Sequence, residues 1–313
     1  MTHEDIPPLT RPLRLGTRGS PLALVQAHMV SNALRAAHGW DEAAIDIVTV
    51  RTDGDRIQDR PLAEIGGKAL WTKELDRALI EGVIDFSVHS MKDVETIRPE
   101  EIMVAAMLPR ADVRDRLIGA ESIAALPQGA KVGTSSPRRA AQLLRLRPDL
   151  AIVMFRGNVA TRIARVEAGE ADATLLAAAG LIRLGEEAVG YDIPLETMLP
   201  APSQGAVGVE TLAGNDHVRQ LLAAINDADT SDCVRAERAV LLGLDAGCHS
   251  PVAAWGRIDA DEILLSAEIL TSDGCEHVAG EVRLARGDEA SATALGRDLL
   301  ARASPTLRAL FSA

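Results

Sequence analysis

Leu13-Arg14-Leu15-Gly16-Thr17-Arg18-Gly19-Ser20-Pro21 and Lys131-Val132-Gly133-Thr134-Ser135-Ser136-Pro137-Arg138-Arg139 are one pattern written twice. In each, a short run ends in Gly-Thr, a serine follows, and a proline opens an amphipathic stretch. A serine hydroxyl accepts from backbone N–H groups at a helix start, and proline suits the first helical turn because its missing N–H is not needed there. The pattern therefore predicts strand, tight loop and helix. The first helix stops at Gly39 and the second at Arg147, ahead of Pro148. A further echo pairs Glu81-Gly82-Val83-Ile84-Asp85-Phe86 with Ala168-Gly169-Glu170-Ala171-Asp172-Ala173, each a helix end turning into a strand. Two related α/β lobes follow, with ligand expected between them at the carboxyl ends of strands.

The segments between fit this plan. Residues 45–50, 84–88 and 103–108 read as strands and 68–81 as a helix, which gives βαβ units in a largely parallel or mixed sheet. Residues 199–205 read as a crossover, and 206–210 as a strand returning to the first lobe. From Thr230 the character changes: a helix through Leu244, three alternating runs at 252–258, 262–270 and 277–284, and a final helix near 290–303. That is a small α+β unit with an antiparallel sheet.

Composition narrows the function. The chain has 313 residues, 47% of them apolar, enough for two or three domains. Its formal charge is −12 and it holds seven Phe, Trp and Tyr residues together, which argues against a nucleic-acid protein and against ring stacking as the main mode of recognition. The first twelve residues, with Pro7, Pro8 and Pro12, lack the apolar core of a signal peptide, and no apolar run of ~18 residues occurs, so a cytoplasmic protein away from membranes is expected. Cys233, Cys248 and Cys275 are odd in number and lack a C-x-x-C spacing, so neither a disulfide framework nor a zinc site is expected, nor any other metal.

Against that acidic background, 29 of the 33 basic residues are arginine. Most are ordinary surface, as at Arg283 and Arg302, but three clusters stand apart. Gly16 to Pro21, Gly133 to Arg139 and Arg156-Gly157-Asn158 each place a guanidinium beside a helix start, where backbone N–H groups and an arginine fork both favour carboxylate or phosphate. The ligand is expected to be small and rich in negative charge. His89-Ser90-Met91-Lys92-Asp93-Val94 follows a strand and sets a cation beside a carboxylate that can bind an N–H group or move a proton. A solvated turn with a local ion pair is the competing reading. Lysine kept at 68 and 92 in an arginine-preferring chain favours a function for Lys68 and Lys92. Cys248 lies in the Gly-flanked loop Asp245-Ala246-Gly247-Cys248-His249-Ser250-Pro251, where a thiolate is open to reaction, although many cysteines are inert small hydrophobes. A Cys–His protease does not fit, because adjacent side chains on an extended segment point to opposite faces.

Together these segments resemble the porphobilinogen deaminase, or hydroxymethylbilane synthase, family over nearly the whole chain. The matching runs are Thr17 to Leu24, Gly66-Gly67-Lys68, Lys73-Glu74-Leu75, His89 to Val94, Gly133 to Arg139, Arg156 to Val159, Gln204 to Gly208 and Gly247-Cys248, all in family order. The resemblance implies two α/β lobes of periplasmic-binding-protein type and a small C-terminal α+β domain: 1–108 with 204–223, 109–203, and 224–313. It implies a dipyrromethane cofactor joined to Cys248 by a thioether, and four porphobilinogen units added head to tail with loss of ammonia before hydrolysis releases the linear tetrapyrrole. Asp93 matches the catalytic carboxylate. Lys92, Asp93, Ser136, Arg138, Arg139 and Arg162 match positions that hold the cofactor, while Arg18, Ser20, Lys68, Arg156, Arg162 and Arg183 match positions near the incoming substrate. A monomer is the family expectation. Glu64, Trp71 and His249 depart from the commoner pattern, which has a basic residue, Phe and Gln there.

Two other classes compete. A two-lobed module that binds anions without chemistry predicts reversible release and no need for Asp93 or Cys248. A phosphate-transferring enzyme predicts a Walker-type loop and paired magnesium carboxylates that the sequence lacks.

Overall fold

Leu13 and Leu15 are buried on strand β1 (Leu13–Arg18), and with Phe86 and Val88 of β3 (Phe86–Ser90) they found a core against helix α1 (Pro21–His38). Each such side chain contributes about 1.5–3 kcal/mol on burial. This computed structural model describes residues 9–50, 72–246 and 250–311, which divide between Met1–Arg110 with Ala206–Ser231 and Ala111–Gly205 with Asp232–Ala313.

In the first unit, β1 and β3 join β2 (Ile45–Val50), β4 (Ile102–Met107) and β10 (Val207–Leu212) in the order β2-β1-β3-β10-β4. β1 runs parallel to β2 and β3, and β10 runs antiparallel to β3 and β4. α1 begins as the sequence predicts: Ser20 accepts from the Ala23 N–H at 3.3 Å, and Gly39 closes the helix at φ 68, a left-handed conformation that suits glycine. Helix α2 covers Lys73–Ile80. β3 starts two residues later than the sequence suggests, because the Ile84 N–H is spent on the Ala78 carbonyl closing α2, at 3.2 Å.

The second unit contains a sheet of the same plan. β5 (Asp115–Ile118), β6 (Lys131–Gly133), β7 (Ala151–Val153), β8 (Ala173–Ala177) and β9 (Tyr191–Asp192) stand in the order β7-β6-β8-β5-β9. β6 is parallel to β7 and β8, and β5 is antiparallel to β8 and β9. In both sheets the fourth strand is the one that runs against its neighbours. The repeated pattern of the sequence therefore marks a repeated topology, as expected for two periplasmic-binding-protein-like lobes. Helices α3 (Pro137–Leu146), α4 (Val159–Glu167) and α5 (Ala178–Arg183) follow β6, β7 and β8. The echo of helix ends holds too, with Gly82 after α2 at φ 67 and Gly169 after α4 at φ 74.

The C-terminal part is the expected α+β unit. β11 (Val252–Asp259), β12 (Glu262–Leu270) and β13 (His277–Ala285) form an antiparallel meander, and helix α8 (Glu289–Arg302) packs on it. Its apolar cluster draws only on residues between Cys233 and Phe311, including Val240, Leu265 and Leu299. Helix α6 (Asp216–Ala223) belongs to the first unit, and α7 (Ala228–Leu244) spans the boundary between the two. No helix of the described residues is long and apolar enough to cross a membrane. Cys233 is buried and Cys275 exposed.

Candidate active site

Parallel neighbours release their carboxyl ends on one edge of a sheet, and this places the two polar loops of the first unit. β1 ends in Arg18-Gly19-Ser20 and β3 ends in a single 3-10 turn, Met91–Asp93. That turn is anchored by its apolar members. Met91 is buried and its N–H reaches the Ala206 carbonyl at 3.1 Å, and buried Val94 closes the turn onto the Met91 carbonyl at 3.2 Å. Gly208 of β10 makes room for Met91, since a Cβ there would lie 2.0 Å from its sulfur. Lys92 is thus left exposed and Asp93 half-buried. Gln26 of α1 donates to the Ser90 hydroxyl at 2.8 Å, tying α1 to the end of β3.

In the second unit the same rule gathers six of the predicted residues. Ser136 ends the loop after β6 and caps α3, accepting from the Arg139 N–H at 3.4 Å. Arg156 and Gly157 follow β7, and Asn158 caps α4 by accepting from the Thr161 N–H at 2.9 Å. Arg162 in α4 donates from Nε to the Gly157 carbonyl at 3.0 Å. Arg183 ends α5, after β8, and donates from Nη2 to the Gly205 carbonyl at 2.7 Å. Ser136, Arg138, Arg139, Arg156, Arg162 and Arg183 therefore come from segments that leave one edge of this sheet, as Arg18, Ser20, Lys92 and Asp93 do in the first unit. Lys68 and Cys248 lie outside the described residues, as do Glu64, Trp71 and His249.

Asp115, the residue that organises this arginine cluster, has no assigned role in the sequence reading. Arg138 and Arg139 are 3% and 5% exposed, and their Nη2 atoms bind the two oxygens of Asp115 at 2.8 and 2.7 Å. Gln204 donates to Asp115 at 2.9 Å. Burial alone would raise the Asp115 pKa, but the two guanidiniums outweigh it and hold the carboxyl below the usual carboxylate range. The signal in the sequence was an acid opening a strand, Asp115-Arg116-Leu117-Ile118, too short and too charged to read as one. Burial lowers the Arg138 pKa, with Asp115 opposing.

The arrangement suits a ligand carrying several carboxylates. Asp115 takes one Nη2 from each of Arg138 and Arg139, whose Nη1 atoms donate to the Leu199 and Leu175 carbonyls, and Glu268 acts on Arg138 from further off. The buried Nε atoms of Arg138, Arg139 and Arg183, like those of Arg35 and Arg145, lack hydrogen-bond partners among the described residues. Burial pushes the Arg183 pKa down to about 10, as expected of a cation with no acid beside it among the described residues. An unmet buried donor costs about 1–3 kcal/mol, which a carboxylate supplied by a ligand would recover. The donor set therefore fits an acidic pyrrole cofactor.

Residues 13–220 match the family model described as porphobilinogen deaminase, dipyromethane cofactor binding domain, and residues 231–304 match that of the porphobilinogen deaminase C-terminal domain. The porphobilinogen deaminase of Sphingopyxis alaskensis is 57% identical over 307 residues, covering 96% of this chain and 97% of that protein. That of Paracoccus denitrificans is 49% identical over 298 residues, covering 94% of each. Among solved structures, the second substrate binding domain of Lactococcus lactis GlnP, in open conformation, aligns over 70% of this chain and 89% of that one, with 11% identity and a TM-score of 0.41. The two family matches and the two relatives, taken together, place the chain in the porphobilinogen deaminase family.

Proposed function

We propose that this chain is a hydroxymethylbilane synthase, a transferase that condenses four porphobilinogen units head to tail with loss of ammonia and releases the linear tetrapyrrole 1-hydroxymethylbilane by hydrolysis. The observation that carries the reading is the set of guanidiniums whose buried Nε donors are unmet among the described residues, at Arg138, Arg139 and Arg183. Every pyrrole in such a chain bears an acetate and a propionate, and carboxylates taken out of water need partners. The reading also takes the chain as a cytoplasmic monomer with a third domain at 224–313.

Lys92, Asp93, Ser136, Arg138, Arg139 and Arg162 would hold the dipyrromethane, and Cys248 would tether it through a thioether. When bound, that group supplies the free pyrrole position from which the product grows. Arg18, Ser20, Lys68, Arg156, Arg162 and Arg183 would seat the side-chain carboxylates of the incoming porphobilinogen, using charge-assisted bonds to orient it. Asp93 is half-buried at the tip of a turn held by Met91 and Val94, so its carboxylate is presented in a fixed place. There it would accept from pyrrole N–H groups and offset the positive charge left when ammonia departs. It would also take up the proton lost as the new bond forms.

Intact mass under denaturing conditions, followed by peptide mapping, tests the reading. A surplus equal to two linked pyrroles on the peptide containing Cys248, absent in Cys248→Ser, is the expected result. An unmodified protein that forms no adduct with porphobilinogen would instead support the reversible anion-binding module. Asp93→Ala is expected to fold and carry the adduct while losing turnover by at least about 100-fold, the scale of a missing acid–base group.

A further inference from the structure

The turn bearing Lys92 and Asp93 is flanked on both sides by members of one buried polar cluster for which the proposed reaction has no use. Ahead of the turn, Ser87 and His89 share a face of β3, and the His89 ring meets the Ser87 hydroxyl at 2.9 Å through Nε2. Behind it, Arg98 donates to Glu95 at 2.8 Å and to the Thr72 hydroxyl at 3.3 Å, and also bonds Asp76 of α2. Thr72 itself donates to Glu95 at 2.8 Å. Glu210 on β10 joins the two flanks. Its carboxylate is fully buried, accepts from Arg98 Nε and Nη2 at 2.8 and 3.0 Å, and lies 3.2 Å from His89 Nε2.

Stability alone does not call for such a cluster. Three carboxylates, a guanidinium and an imidazole are costly to desolvate, and well-packed apolar side chains of similar volume are often as stable or more so. What polar bonds add is direction: each fixes a donor against an acceptor, and here they fix residues 89 and 95–98 to one point on β10. Glu210 and Gly208 lie two residues apart on that strand, so they share a face. The face that seats Met91 over Gly208 is therefore the face that carries the cluster.

We propose that Glu210, with Arg98 and His89, is a positioning group for the Lys92–Asp93 turn, clamping both of its flanks so that the Asp93 carboxylate is held in register for the reaction. The proposal rests on Asp93 being the reacting carboxylate, but one arm of its test does not.

Glu210→Gln keeps the shape and removes the charge. Per cofactor-loaded molecule, with loading read from intact mass, kcat is expected to fall about tenfold while KM for porphobilinogen stays within about twofold, because misplacement of a reacting group is felt in turnover. Hydrogen exchange of the peptide spanning residues 89–95 is expected to quicken, with the rest of the first unit unchanged. A purely structural role would lower the melting temperature and loading but leave kcat per loaded molecule intact, and would spread faster exchange through the sheet; either result overturns the proposal. Should Glu210→Gln fail to fold, His89→Gln disturbs only the contacts of His89 with Glu210 and Ser87, and unchanged kcat together with unchanged exchange at residues 89–95 would overturn it equally. If wild-type protein condenses no porphobilinogen, the functional reading fails while the exchange arm still decides the clamp.

Discussion

Glu210 and Asp115 stand on corresponding strands in two sheets of one plan, Asp115 opposite the last residue of β8 and Glu210 opposite the second residue of β3. Each is a buried acid on the fourth strand, β10 or β5, the strand that runs antiparallel to its neighbours. Their company is opposite. Asp115 bonds both Arg138 and Arg139, with Glu268 one step further off through Gln142, whereas Glu210 shares Arg98 with Asp76 and Glu95. One sheet therefore carries unmet guanidinium donors, which suit an anionic ligand. The other has its guanidinium spent among carboxylates, which suits holding a turn. A shared topology thus supplies the buried site, and the count of arginines decides whether the site is left open to a ligand.

The largest effect expected from this contrast is at Asp115. Asp115→Asn takes from two buried guanidiniums the carboxylate that both of them bond, and breaking one side of a buried ionic group costs about 3–5 kcal/mol. Urea unfolding should show that loss; a change under about 1 kcal/mol would mean that the two arginines do not need the acid, and the comparison would collapse.

The same contrast separates what the amino-acid sequence shows by itself from what it hides. The repeated Gly-Thr, Ser-Pro pattern announced both sheets, because capping and proline chemistry are local, and Ser20 and Ser136 do cap the helices it predicts. Arg138, Arg139 and Arg156 stand out in the sequence by their loops after strands, whereas Arg162 and Arg183, both in helices, are pointed to only by the family resemblance. Asp115 and Glu210 have neither mark. Each is a charged residue inside a strand, and its partners come from segments far off in sequence, 23 residues away for Arg138 and 112 for Arg98. Local spacing holds no record of such a pairing. The visible hint at Glu210 was an acid at the heart of Val207-Gly208-Val209-Glu210-Thr211-Leu212, a strand otherwise without charge.

A smaller effect should appear in acid. Burial by itself would raise the Glu210 pKa, but His89 and Arg98 bring it down from 4.5 to about 2. A depressed folded-state value means the group contributes stability above its unfolded pKa and loses it as pH falls. Between pH 4.5 and about 2 the wild-type protein should therefore lose stability by an amount on the order of 2–3 kcal/mol that Glu210→Gln does not lose. Asp76, whose pKa burial raises despite Arg98, works in the opposite sense. Asp76 is present in both proteins, so its own contribution flattens each acid limb and cancels from the difference between them. Parallel acid limbs in wild type and Glu210→Gln would show that the Glu210 carboxylate is no better held in the folded protein than in the unfolded one.

The smallest effect on stability should come from the residue most exposed to the ligand argument. Among the described residues Arg183 has a hydrogen bond to the Gly205 carbonyl and a buried Nε without a partner, and burial pushes its pKa down to about 10. A cation held that way is a cost to the fold, so Arg183→Met, which keeps the length and apolar stem, should leave stability within about 1 kcal/mol of wild type or raise it. The same substitution should weaken porphobilinogen binding by about ten- to a hundredfold, the value of a charge-assisted bond of roughly 1.5–3 kcal/mol. That separation of stability from affinity is what distinguishes an arginine kept for a ligand from one kept for the fold. Were Arg183→Met to lose stability as Asp115→Asn is expected to, Arg183 would belong with the buried clamps, and the unmet donors of the second sheet would be structural rather than a seat for carboxylates.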